Sequence, residues 1–350
     1  MKIRIGQIGV GAWGRNLLRN FCGLPEAQVV LACDIDPEVP SRLGPRYPEV
    51  RWTRDPREVL LADLDAVVIA TPPSTHYLLA KEALRAGKHV FVEKPMTLSV
   101  EEGEDLVRLA EDEGRVLMVG HLMEYHPGVI KLKEYIDRGE LGDIYYLYAA
   151  RLNLGKVRRE ENALWSFAPH DISMALMLLG RDPLWVTAVG QSYLQDGIED
   201  VVFLTLHFPG KVMAQVHVSW LDPHKVRRLT VVGSRKMAVF DDTEPAEMLR
   251  IYDKGIDAFS DYRSYGEAFS IRWGDIVIPK VPMAEPLALE CAHFLECVRY
   301  RRPPKSDGRD GLRVLRVVEA CQRSLERRGA PVGPQKVPER SGELFGAHRS

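Results

Sequence analysis

The apolar run Lys2–Ile8 passes without a break into Gly9-Val10-Gly11-Ala12-Trp13-Gly14 and then into the amphipathic stretch Arg15–Phe21. Three glycines in that rhythm, between a strand and a helix, form the turn of a dinucleotide-binding unit. The first permits the tight bend, the second lets backbone approach a pyrophosphate, and the third lets helix and strand pack closely. Asp34 closes the next apolar run, twenty residues after Gly14. A carboxylate there accepts hydrogen bonds from the adenosine ribose hydroxyls and repels a 2′-phosphate. No Arg follows it directly, so NAD is expected over NADP. Gly9, Gly11, Ala12, Trp13, Gly14 and Asp34 are the expected cofactor contacts of this first unit. A turn aspartate needs no ligand; the strand–turn–helix context decides against that plainer reading.

Strands and helices go on alternating. Val50–Thr53, Ala66–Ala70, the run His89–Glu93 and Val116–Val119 read as strands, while Pro56–Leu61, a helix from Ser74 through Ala86, and one from Ser99 with Glu102 as its capping partner lie between them. The expectation is a doubly wound, parallel six-stranded sheet over residues 1–122. After Gly142 the pattern changes to period two, with Ile144–Asn153, Trp185–Leu194, Val201–Phe208, Val212–Leu221, Leu229–Val232 and Met237–Phe240 as strands joined by short turns. Residues 123–338 are therefore expected to form an α+β domain with a large open, mostly antiparallel sheet. A helix at 311–325 is expected to pack back on the first domain, and 339–350 to be a tail. An open sheet face carrying Val, Leu, Tyr and Trp calls for a cover, and another subunit is the natural one.

Ligands of open α/β sheets bind beyond the carboxyl ends of the strands. Glu93-Lys94-Pro95 ends a buried strand and so offers an acid and an amine to that crevice. A strand-end turn that aims a reactive amine is also a place for a cis X-Pro bond, so Lys94-Pro95 is a candidate for one. Thr71, Pro72 and His76 follow the preceding strand and face the same side. The other concentration of functional residue types is Arg158–Gly180, where Pro169 is expected in the first turn of a helix and His170 directly after it. Removing a proton from a secondary alcohol as hydride leaves the carbon suits histidine, whose ordinary pKa lies near neutrality. Lys94 as a cation would orient the hydroxyl oxygen, or would share the proton transfer. Arg158, Arg159, Trp165 and Asp171 are candidate substrate contacts, a paired guanidinium matching a diphosphate.

Composition excludes several alternatives. A formal net charge of −2 argues against a general nucleic-acid surface, and no apolar stretch has the length of a membrane span. The chain starts directly in a strand, so a cytoplasmic protein is expected. Five cysteines without paired spacing or histidine partners read as reduced thiols, with neither disulfide nor metal.

GVGAWG, ATPPSTH at 70–76, VEKP at 92–95, EPLALECAHFLECV and DGRDGLRVLRVVEA together resemble the glucose-fructose oxidoreductase, inositol dehydrogenase and rhizopine catabolism (Gfo/Idh/MocA) family over nearly the whole length. The resemblance implies a two-domain NAD(P) oxidoreductase of sugars or polyols, dimeric or tetrameric through the second sheet, with Lys94 and His170 as its reacting pair. Many members carry Asp four residues before the histidine and three after it; Ser166 and Ser173 stand there here. The block RREENALWSFAPHDIS resembles the nucleotide-sugar branch, whose members oxidise C3 of UDP-N-acetylglucosamine or its uronic acid. Two other readings stand beside it: an inositol or other polyol dehydrogenase, and, from a different class, a non-catalytic NAD-sensing regulator.

Overall fold

A computed structural model describes residues 2–258 and 269–334. The expected tail, 339–350, and the expected end of the second domain lie outside them.

The first half of the chain runs β1 (Ile3–Ile8), α1 (Gly14–Gly23), β2 (Ala27–Cys33), α2 (Glu38–Leu43), β3 (Arg51–Thr53), α3 (Pro56–Leu61), β4 (Ala66–Ile69), α4 (His76–Arg85), β5 (His89–Glu93), α5 (Val100–Asp112) and β6 (Leu117–Gly120). The six strands pair in parallel in the order β3-β2-β1-β4-β5-β6. β4 is buried at every residue, as an apolar run without alternation requires when both faces of a sheet are covered. The Ser99 side chain accepts the Glu102 N–H and starts α5 where the capping box placed it.

α6 (Pro127–Asp137) leads to the second unit, which runs β7 (Ile144–Leu154), α7 (Ala163–Leu179), β8 (Trp185–Gln191), β9 (Val201–Phe208), β10 (Val212–Ser219), β11 (Leu221–Gly233), β12 (Met237–Asp241), β13 (Leu249–Ala258) and β14 (Phe269–Val277), before α8 (Pro286–Tyr300) and α9 (Gly308–Glu326). The eight strands follow the order β14-β13-β12-β11-β7-β10-β9-β8. All neighbours are antiparallel except β7 and β10. The fold is thus a Rossmann sheet joined to an α+β unit with a large, mostly antiparallel sheet.

Three elements differ from the sequence expectation. α7 begins at Ala163, where Asn162 caps it by accepting the Trp165 N–H, so Pro169 lies inside the helix rather than in its first turn. The Asn cap is the stronger start signal and the proline is tolerated as an interior fault. α9 starts at Gly308, capped by Asp307, rather than at Gly311. β13 and β14 were not anticipated, because Asp253-Lys254-Gly255 and Gly274-Asp275 interrupt their apolar pattern.

The last two helices tie the halves together. α8, expected with the second domain, buries Cys291 and Phe294 in the core of the first sheet. There Phe294 meets Phe21 of α1 and Phe91 of β5 edge-on, with ring centroids 5.7–6.2 Å apart. Removing any one of these rings should cost about 3–5 kcal/mol. α9 places Leu312 and Leu315 against the first sheet and Val314, Val317, Val318 and Cys321 in the core of the second.

Candidate active site

The glycine turn is built as a cradle. Gly9 has φ +90, and a Cβ there would come within 2.5 Å of Ala70 O. At Gly14 a Cβ would stand 2.3 Å from Gly9 O, so helix and turn pack backbone on backbone. Gly11 has nothing within 4 Å of its would-be Cβ, leaving bare backbone toward the start of α1, which carries no acid in its first turn. Both features suit an approaching pyrophosphate. Gln7, fully buried in β1, staples the turn by donating its side-chain amide to Gly9 O (2.9 Å) and Gly14 O (2.7 Å). Asp34, beyond β2, accepts the Val10 N–H at 2.7 Å and the Asp36 N–H at 3.0 Å. Its carboxylate is thereby fixed beside the cradle with lone pairs to spare. These residues fit a dinucleotide.

At the other end of the cradle, Trp13 donates its indole N–H to Glu93. Burial pushes the Glu93 carboxyl up to about 7. The Lys94–Pro95 bond is cis, and Lys94 donates from Nζ to Ser166 O at 2.7 Å. Ser166 precedes His170 by one helical turn, so both lie on the same face of α7. Pro169, between them, lacks the N–H that would have bonded Trp165 O, which loosens the helix where Lys94 docks. Burial lowers the Lys94 pKa, against the pull of Glu161 and Glu93. His170 Nδ1 has no hydrogen-bond partner among the described residues, and burial, followed by the charges of Lys94 and Arg151, holds its pKa well below the ordinary value. The Lys94 amine thus stands against the backbone of α7, one turn before His170, beyond the carboxyl end of β5.

The wall around this pair is rich in cations. Arg151 of β7 is pinned by Asp171 in a bidentate ion pair, at 2.7 and 3.0 Å. Its cross-strand neighbour Arg227 pairs with Asp242 at 3.1 Å, and its charge also bears on His170. Arg158 lies 3.5 Å from Glu161 and its charge reaches Lys94.

Sequence comparison agrees with this geometry. Residues 3–121 match the sequence profile of an oxidoreductase family with an NAD-binding Rossmann fold, and residues 129–239 match the Gfo/Idh/MocA C-terminal domain. A solved oxidoreductase from Magnetospirillum magnetotacticum MS-1 is 32% identical, superposes with a TM-score of 0.79, and spans 92% of this chain and 100% of its own. The chain belongs to the Gfo/Idh/MocA oxidoreductase family. Among its relatives is UDP-N-acetylglucosamine 3-dehydrogenase of Acidithiobacillus ferrooxidans, 29% identical over 89% of this chain and 94% of that protein. The structure of that enzyme superposes with a TM-score of 0.78, over 94% and 99% of the two chains. The NAD(+)-dependent scyllo-inositol 2-dehydrogenase of Bacillus subtilis is 28% identical over 95% and 96% of the two chains. As a family member the chain is an NAD-binding oxidoreductase of sugar or polyol hydroxyls.

The remaining expected site residues are held by partners within the protein or lie exposed. His76 does not face the cofactor cradle: it is 1% exposed, with ring nitrogens 2.8 Å from Pro95 O and 2.9 Å from Thr71 O. It ties the loop after β4 to the loop after β5, holding Thr71 and Pro72 beside Lys94. Asp171 is 2% exposed and each of its oxygens accepts from Arg151. Trp165 turns its indole N–H to Gln322 of α9 and packs between the two cores. Arg159 is exposed. The family's two Asp positions are filled differently here, Ser166 lending its carbonyl to Lys94 and Ser173 donating its hydroxyl to His170 O at 3.1 Å. Sequence reasoning missed Gln7, Arg151 and Arg227. Gln7 alone left a signal, a polar residue inside an apolar strand run. Among the described residues no group of acidic, histidine or cysteine side chains is placed to hold a metal, and no helix is long and apolar enough to cross a membrane.

Proposed function

We propose that this protein oxidises a secondary hydroxyl of a nucleotide sugar, with C3 of UDP-N-acetylglucosamine or its uronic acid as substrate position, using NAD. The observation that carries the reading is the Lys94 Nζ–Ser166 O contact, which stands the amine beside His170 at the mouth of the cofactor cradle. His170, whose pKa is held well below its ordinary value, is neutral and accepts the hydroxyl proton. Lys94 as ammonium holds the oxygen and stabilises the negative charge that develops on it. Bound nicotinamide supplies the hydride acceptor. Gly9, Gly11, Ala12, Trp13, Gly14, Asp34, Thr71, Pro72 and Glu93 line its expected path. The cations Arg151, Arg158 and Arg227 around the pair favour an anionic substrate. The name of the Acidithiobacillus relative gives the substrate class.

The test is direct. Purified protein with NAD and a panel of UDP-sugars, free sugars and inositols is followed by NADH absorbance, and reduction with UDP-N-acetylglucosamine or its uronic acid is expected. Turnover confined to inositols would move the protein to the polyol reading that the Bacillus relative represents, and no turnover with any of them would favour a sensor.

Cofactor choice rests on Asp34. NAD should bind at least tenfold more tightly than NADP, about 1.4 kcal/mol, because the 2′-phosphate would meet a fixed carboxylate. Asp34→Asn, which removes the charge and keeps the shape, should narrow that ratio. Equal affinities in calorimetry of the wild type would contradict the assignment.

The second sheet gives a further expectation. One row of cross-strand partners, Trp185-His207-Met213-Tyr146-Val232-Met237-Tyr252-Ile276, crosses all eight strands on the face away from α7. Trp185 stacks on His207 and Phe203 on His217 beside it, while Tyr146, Phe203 and Met213 remain exposed. A second copy is the occupant this face fits, since a two-fold axis lays such a row against itself. Light scattering should give a dimer or tetramer, and Phe203→Glu with Met213→Glu a monomer. A monomeric wild type at micromolar concentration would remove the interface.

A further inference from the structure

His121 follows β6 directly and is locked in place. Its N–H donates to Val119 O at 2.7 Å and its carbonyl accepts the Glu124 N–H at 3.0 Å. The residue is 2% exposed, yet neither ring nitrogen has a hydrogen-bond partner among the described residues. A buried polar ring without a partner is costly, and such groups concentrate where a ligand completes them. Glu93 of β5 pairs in register with Gly120 of β6, so Lys94 and His121 leave the sheet at adjacent strand ends, and the charge of Lys94 bears on the His121 ring. β6 is the edge strand, next to β5 and farthest from β2. A dinucleotide with its adenosine at Asp34 extends toward β5, which leaves the end of β6 on the substrate side.

We infer that His121 hydrogen-bonds the substrate hydroxyl vicinal to the one being oxidised, making it a specificity residue of this site. The inference rests on the dehydrogenase reading and adds a subsite to it. Burial and the charge of Lys94 press the imidazole pKa down to about 3, so the ring is neutral at working pH and is no store for the released proton. A neutral imidazole offers one N–H and one lone pair. A vicinal hydroxyl, which donates and accepts, is its complement, and the reacting oxygen is already taken by Lys94 and His170. Orientation follows, because two adjacent ring oxygens held by groups from different elements fix the face that the reacting carbon presents.

With UDP-N-acetylglucosamine oxidised at C3 the vicinal hydroxyl is on C4, so the probes are its 4-deoxy analogue and its 4-epimer, UDP-N-acetylgalactosamine. The wild type should lose roughly a hundredfold or more in kcat/KM on either, as expected when a site built around a hydroxyl loses it. His121→Ala should lose a similar factor on the parent sugar and almost nothing further on the analogues. Calorimetry of each sugar on the enzyme–NADH complex should show the same coupling in binding. NADH affinity of His121→Ala and of the milder His121→Asn should stay within roughly threefold of wild type, which also certifies the fold. Losses that simply multiply, or an NADH affinity that falls with that for the sugar, would overturn the inference by sending the ring elsewhere or to the nicotinamide. If the wild type oxidises no sugar the dehydrogenase reading itself fails; normal turnover with unchanged C4 discrimination in the variant sinks the His121 assignment alone.

Discussion

His170→Ala should lower kcat by roughly two orders of magnitude or more, about 2.7 kcal/mol of barrier, while NADH affinity stays close to wild type. Lys94→Ala should do the same. The structure adds a way to tell their roles apart. Burial and neighbouring cations hold the His170 pKa well below its ordinary 6.5, so its base form is present at neutral pH and the acid limb of kcat/KM falls below that value. Burial lowers Lys94 from 10.5, and because the ammonium form is the useful one, activity declines on an alkaline limb that also lies below the ordinary value. Residual activity of His170→Ala should lack the acid limb, and that of Lys94→Ala the alkaline limb. Wild-type turnover in His170→Ala would send the proton by another route and end the assignment.

The candidate pair stands out in the sequence because each residue is marked locally. Lys94 ends a strand whose apolar run has a sharp stop, and His170 lies in a helix with few other polar residues. Sequence alone did not show what joins them, since the Ser166 carbonyl that receives Lys94 Nζ is backbone and has no residue signature. The same holds for His76, whose type suggested a ligand and whose two carbonyl partners come from distant loops. Asp171 beside His170 is paired with Arg151 of β7, a partner no local pattern announces. Such tertiary pairing decides whether a polar side chain is free. The Rossmann sheet was readable strand by strand because both its faces are buried, whereas β13 and β14 lie at one edge of the second sheet, where charge and glycine break the period.

A diphosphate should dominate substrate binding, and the arginines before His170 are where it is expected to show. Arg158 is half-exposed and pairs with Glu161 at 3.5 Å, an ion pair of the kind worth about 0–1 kcal/mol. Exchanging that partner for a phosphate therefore costs little, and Arg159 beside it is exposed. Arg151 is the contrast: pinned on Asp171 and buried, it shapes the field without being free to move. Charge-assisted hydrogen bonds are worth about 1.5–3 kcal/mol each, so two arginines on a diphosphate should supply enough binding energy to position C3. UDP-N-acetylglucosamine should then exceed free N-acetylglucosamine in kcat/KM by roughly a thousandfold, since remote binding energy is what orients the reacting carbon. Replacing Arg158 and Arg159 together by Ala should remove about a hundredfold of that advantage for the nucleotide sugar and leave the free sugar nearly unchanged. If the free and nucleotide sugars gave comparable kcat/KM in the wild type, the nucleotide-sugar assignment would go and the dehydrogenase would stand.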